Sequence, residues 1–163
     1  MKRVIGIMVL FALAGCDSFT AAPYSISADN NVALKSALGT EHVGVGAFTT
    51  AKEIDANCRL VGPIQLPSGL TFEAYIQKAF ADELKVAGLY DDKAPIILKG
   101  VVNDLKFSST SGSWDISVTV NSSNGKAVTV ADHYEFHTSY TAPSACHNVA
   151  DAFQPAVQLL VGK

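Results

Sequence analysis

The chain has 163 residues, 48% of them apolar and 17% charged, with 12 Gly, 6 Pro, 3 Cys and a formal charge of −3. This composition fits one globular domain and excludes a disordered tail, a collagen-like repeat and a disulfide-dense miniprotein. The cysteine count is odd, so in an exported chain one sulfur needs a role of its own.

Lys2 and Arg3 precede an apolar run from Val4 to Ala14 broken only by Gly6, the layout of an export signal. A run of that length rises about 17 Å as a helix, roughly half of a hydrocarbon core of about 30 Å. A signal peptide over residues 1–15 is therefore a better reading than a spanning helix. The run ends in Leu13-Ala14-Gly15-Cys16, which resembles the lipobox of bacterial lipoproteins. That resemblance implies that Cys16 receives a diacylglyceryl group and becomes the acylated first residue after cleavage. One acyl chain binds a membrane only marginally, at about 0.8 kcal/mol per buried CH₂, so two or three chains make a lasting anchor. The expected location is the cell membrane, lipid-anchored and facing the periplasm. Asp17 resembles the inner-membrane retention signal of enteric lipoproteins, but sorting rules differ between bacteria, so inner and outer membrane both stay open.

With Cys16 assigned to lipid, Cys58 and Cys146 are left as a pair in an oxidising compartment, where a disulfide is the default fate. A closed loop of about 89 residues is worth about 4 to 5 kcal/mol in the chain-entropy picture. The competing idea, a metal or nucleophile site on Cys146-His147, lacks a third ligand, and adjacent residues seldom converge on one ion. Without Lys2 and Arg3 the balance becomes 10 basic against 15 acidic residues. No Lys/Arg cluster exists, which argues against nucleic acid as a partner.

Residues 16–28 read as the lipidated cysteine and a tether, with little periodicity and with Ser18, Thr20, Pro23 and Ser25. A single α+β domain is expected over 29–163. It opens with a short helix over 29–38, ended by Gly39. A strand over 42–48 follows, and its Gly44-Val45-Gly46 is a lone G-x-G better explained by close backbone packing than by phosphate binding. Residues 49–69, with Cys58, Pro63 and Pro67, read as a long connection that needs a pin, which the expected disulfide supplies. Phe72, Ile76, Ala79, Phe80, Leu84 and Ala87 fall at helical spacing, predicting a helix over 71–87 that ends at Gly88. Its aromatics Phe72, Tyr75 and Phe80 read as core.

Three strands are predicted over 95–107, 113–122 and 126–140. The first shifts its apolar parity from Ile96, Leu98 and Val102 to Leu105 and Phe107, so a bulge is expected near Asn103 or Asp104. Between the second and third, a three-residue loop of Ser123, Asn124 and Gly125 would pair Val120 with Val128 and Val118 with Val130. That register keeps both apolar sets on one side, and Gly125 suits the left-handed position such a loop requires. A last helix is predicted over 148–161, with Asn148 and Asp151 as a capping box and Pro155 forcing a kink or a late start.

The order helix, strand, helix, three strands, helix implies a small mixed, mostly antiparallel four-stranded sheet with helices packed on one face, the first two strands parallel. This order is similar to that of small envelope lipoproteins of the ABC-transport-auxiliary and lipopolysaccharide-assembly type. The resemblance implies an accessory role and protein partners in a cell-envelope complex.

Candidate reactive groups are His42, His133, His137, His147 and scattered carboxylates. His133 and His137 share a strand face but stand about 13 Å apart, too far to ligate one ion together. With Glu135 between them they read as a partner-facing surface. No G-x-S-x-G, H-E-x-x-H, phosphate-loop or Cys-His-Asn pattern occurs, so neither catalysis, metal nor cofactor is expected. The sequence thus reads as a membrane-anchored, non-enzymatic interaction module; the alternative is a carrier for a small apolar ligand or lipid.

Overall fold

A computed structural model describes residues 18–163. The expected signal peptide, Cys16 and Asp17 lie outside the described residues. The elements are β1 (Phe19–Thr20), α1 (Ala28–Leu38), β2 (Gly44–Thr50), β3 (Asn57–Cys58), β4 (Gly62–Gln65), a 3-10 turn (Pro67–Gly69), α2 (Phe72–Ala87), β5 (Ile97–Ser108), β6 (Ser113–Ser122), β7 (Ala127–Glu135) and α3 (Ala142–Val161).

The main sheet has the order β2-β5-β6-β7, with β2 parallel to β5 and the other pairs antiparallel. This is the expected mixed sheet, and α2 supplies the crossover between its parallel strands. The apolar parity sets the registers. Val120 pairs with Val128 and Val118 with Val130, and Gly125 closes the three-residue loop at φ 88°, where any Cβ would be strained. The parity shift in β5 is a register break between Val102 and Asp104. Trp114 of β6 lies 4.9 Å from Phe153 of α3 and 6.2 Å from Phe72 of α2, centroid to centroid. Both long helices therefore cover the same face. The Trp114 indole donates to the Val149 carbonyl at 2.9 Å, so this large buried ring leaves no polar atom unpaired.

Four expectations need correction. The long connection over 49–69 contains β3 and β4, which with β1 form a second, three-stranded sheet of order β1-β4-β3. The tether over 16–28 is not a tether from Phe19 onward. Phe19 and Ala21 are buried in the core, and β1 runs parallel to β4 with Phe19 opposite Ile64. The third long strand stops at Glu135 rather than Tyr140, because Glu135 pairs with Ser113, the first residue of β6; beyond it the Phe136 N–H donates to the Gly112 carbonyl in the β5–β6 turn at 2.8 Å, and the ladder goes no further. Finally, α3 begins at Ala142 behind the N-cap Thr141, with Pro143 in the first turn, where its missing N–H costs nothing. Asn148 lies inside that helix and caps nothing; its side chain donates to the His137 carbonyl at 2.9 Å and to Ser139 Oγ at 3.0 Å. The helix runs on through Pro155.

Cys58 and Cys146 are bonded, with Cα atoms 5.9 Å apart, and both are buried. The bond joins the small sheet to the first turns of α3. It pins the segment that looked too long for a connection.

Candidate interaction surfaces

The face of the main sheet away from the helices is polar and internally paired. Asn103 Nδ2 donates to Thr119 Oγ1 at 2.8 Å, and that oxygen lies 2.7 Å from Thr129 Oγ1. Lys52 Nζ sits 2.8 Å from Asp104, and Lys106 approaches the same carboxylate at 3.7 Å. The Lys52 ammonium beside it holds the Asp104 carboxyl below the usual aspartate range. His133 Nδ1 lies 2.6 Å from Asp115 and its Nε2 lies 3.6 Å from Glu135. The hydrogen bond to Asp115 raises the His133 pKa. Of the expected partner-facing residues, His133 and Glu135 do share this face. His137 does not: it follows the end of β7, and its carbonyl serves to accept from Asn148.

A second cluster, centred on the fully buried Glu83, was not foreseen. Glu83 of α2 accepts from Tyr24 Oη at 2.8 Å, from the Ser27 backbone N–H at 2.8 Å, from Asn30 Nδ2 at 3.4 Å and from Asn31 Nδ2 at 2.6 Å. Asn30 also donates to the Gln158 carbonyl at 2.9 Å, and Gln158 returns a bond to the Ser25 carbonyl. Tyr75 Oη donates to the Ala22 carbonyl at 2.9 Å. Burial, and the Glu83 carboxylate beside it, hold the Tyr24 phenol well above the ordinary tyrosine range. Burial does the same to Tyr75. The strap of residues 18–31 is thus bolted to α2 and α3. A Glu at a buried position of an otherwise apolar helix face was the available signal, since an unpaired buried carboxylate is prohibitively costly.

The other chemistry-bearing candidates are structural. Cys146 is held in the disulfide, so the Cys146-His147 alternative falls. The His147 ring stands edge-on to Phe19 at 4.9 Å. A Cβ on Gly44 would come 2.5 Å from Ile97 Cδ1 and 3.0 Å from the Asp91 carbonyl oxygen. The lone G-x-G is therefore close packing of β2 against its neighbours. Among the described residues no group of three or more His, Cys, Asp or Glu could hold a metal ion, and no helix is long and apolar enough to cross a membrane.

A cleft of about 680 Å³ opens between the end of β2, the small sheet and the start of α2. Ile54, Ile64, Leu66, Leu70 and Phe72 line it, with Glu53 and Glu73 also on its wall.

Neither a protein-family model nor a curated protein matches the chain. In three dimensions it is similar to the crystal structure of a Xanthomonas campestris protein of the DUF330 family, at a TM-score of 0.51 and 11% identity over 88% of this chain and 85% of that chain. At that identity the likeness is one of fold alone.

Proposed function

We propose that the chain is a lipid-anchored lipoprotein of the cell envelope whose domain acts as a non-enzymatic interaction module of an envelope complex. The observation that carries this reading is the division of the sulfurs. Cys58 and Cys146 are consumed by a buried disulfide, a bond suited to an oxidising compartment. That leaves Cys16, at the end of an apolar segment and in a lipobox-like sequence, as the sulfur open to modification. The open sheet face, with its paired polar side chains, is the surface on which such a module would meet its partner.

The test is expression of the full-length chain in a Gram-negative host and intact-mass measurement of the membrane fraction. The expected mass is that of residues 16–163 plus acyl groups, and Cys16→Ala loses the added mass and the membrane association. A wild-type mass without lipid overturns the anchor. Crosslinking in intact cells should then capture a protein partner in stoichiometric yield.

The cleft lined by Ile64, Leu66 and Phe72 favours a second reading, a carrier of a small apolar ligand, because its volume is that of a ligand pocket. Native mass spectrometry separates the two: a stoichiometric small molecule on envelope-extracted protein supports the carrier.

A further inference from the structure

The corner where the described chain begins carries features that the core does not need. β1 runs parallel to β4, so Ser18 enters beside the first residues of β4. A Cβ on Gly62, which opens β4, would lie 3.5 Å from the Phe19 ring. The turn just before Gly62 is Arg59-Leu60-Val61, and it is therefore adjacent to the entry point. Arg59 and Leu60 have φ values of 44° and 60°, a backbone region that bulky side chains rarely adopt. Even so, the Leu60 side chain is buried nowhere: its exposure is 102%, with Val61 exposed next to it.

Arg59 ties this turn to the loop after β7. Its Nε donates to Ser109 Oγ at 3.0 Å, one terminal nitrogen donates to the Ser109 carbonyl at 2.5 Å, and the other reaches the Ser139 and Tyr140 carbonyls at 3.3 and 3.4 Å. No carboxylate is among these partners. Tyr140, at 106% exposure, stands on the same corner.

We propose that this corner, Leu60, Val61 and Tyr140 with Arg59 behind them, rests on the lipid surface that holds the anchor, so that the domain lies on the bilayer instead of hanging from a stalk. The proposal depends on the lipoprotein reading above. Its core is reach. Only Asp17 and Ser18 stand between Cys16 and Phe19, and three residue steps span at most about 11 Å. Phe19 is buried and the strap behind it is bolted to Glu83. An acylated Cys16 thus brings the headgroup layer to the face that carries Leu60. Apolar side chains, a tyrosine with a polar tip and a cation whose partners among the described residues are a hydroxyl and carbonyls form the set that a membrane interface favours. A strained, exposed leucine has a use there that it lacks in water.

The control position is the opposite end of the sheet. The β5–β6 turn holds Ser109, Arg59's partner, whereas the β6–β7 turn at 123–125 is one strand length away, about 30 Å. The experiment uses the acylated full-length protein carrying Leu60→Trp, Tyr140→Trp or Lys126→Trp in vesicles of phosphatidylethanolamine and phosphatidylglycerol, with and without brominated acyl chains. Buried Trp114 is common to all three. The two corner variants should lose most of their added emission to bromine, and Lys126→Trp should lose none. Corner variants that stay unquenched, or quenching of Lys126→Trp to the same degree, overturn the proposal. Intact mass on the same samples separates the two failures: lipid present with an unquenched corner sinks the proposal alone, and lipid absent from Cys16 sinks the anchor first. Hydrogen exchange on the unsubstituted chain guards against misfolded variants. Amides at 59–62 and 138–141 should slow on vesicles relative to the unacylated Cys16→Ala chain; equal rates overturn the proposal.

Discussion

The strap side of the domain and the open face of its sheet both use carboxylates at hydrogen-bond distance, yet they differ in whether water can take a partner's place. Glu83 is fully buried and receives four donors from residues 24–31. Asp115 and His133 keep 38% and 54% of their side-chain surface in solvent. Removing a buried acceptor strands each donor at a cost of about 1 to 3 kcal/mol, whereas an exposed pair contributes little because water and salt replace it. The strap side is therefore where the fold is held. The open face is where side chains can change without loss of structure.

The sharpest way to break this comparison is to cut the covalent part of the strap side. Cys58→Ser with Cys146→Ser opens a loop of sequence separation 88 and should lower unfolding free energy by about 4 to 5 kcal/mol in the chain-entropy picture, read from urea melts. A loss below about 1 kcal/mol, the range of a surface contact, would mean that the small sheet holds its place without the bond. Next in size is Glu83→Ala. It strands the Tyr24 hydroxyl and the Ser27 N–H and takes one acceptor from each of the Asn30 and Asn31 amides, and a loss of about 3 kcal/mol or more is expected. Tyr24→Phe removes one donor only and should cost about 1 kcal/mol. If Glu83→Ala costs no more than Tyr24→Phe, the cluster is not acting as a bolt. Limited proteolysis adds a local readout, since cleavage in residues 22–31 should rise in Glu83→Ala before global unfolding.

The same contrast explains what could be read from sequence. The β6–β7 register and the β5 bulge were legible because alternation over β6 and β7 leaves one consistent choice, and a slip by one residue would turn every apolar side chain outward. The helix over Phe72–Ala87 was legible for the same reason at period 3.6. β1 and β3 have two residues each and β4 has four, too short for any period to show. Their placement comes from the disulfide and from the burial of Phe19, both long-range. α3 was dated too late because Asn148 and Asp151 mimic a cap, while the real signal was Thr141 two residues before Pro143. Strand β7 was drawn too long because Phe136 and Tyr140 continue its alternation, although β6 has already ended. The Glu83 cluster draws on residues 24–31 and 83, a separation that no local pattern spans.

The smallest predicted effect tests the exposed half of the comparison through pH. Hydrogen bonding to Asp115 raises the His133 pKa in the folded chain, while in the unfolded chain it returns to about 6.5. A folded pKa above the unfolded one means that the native state holds the proton more tightly. The contribution to stability is then fully present below about pH 6.5 and fades as pH rises through the folded value. Asp104 has the opposite sign: its folded pKa is lowered by Lys52, so its contribution is present above the ordinary aspartate range and is lost on acidification. The stability difference between the wild type and Asp115→Asn should therefore shrink as pH rises from 6 toward 9, about the span over which a histidine gives up its proton, and NMR titration should show the His133 pKa falling in the variant. A difference that does not change with pH would mean that Asp115 contributes by shape or backbone effects, and that the open face is held by more than exchangeable contacts. The expected outcome leaves the fold indifferent to these groups, as the proposed partner-facing role of His133 and Glu135 would require.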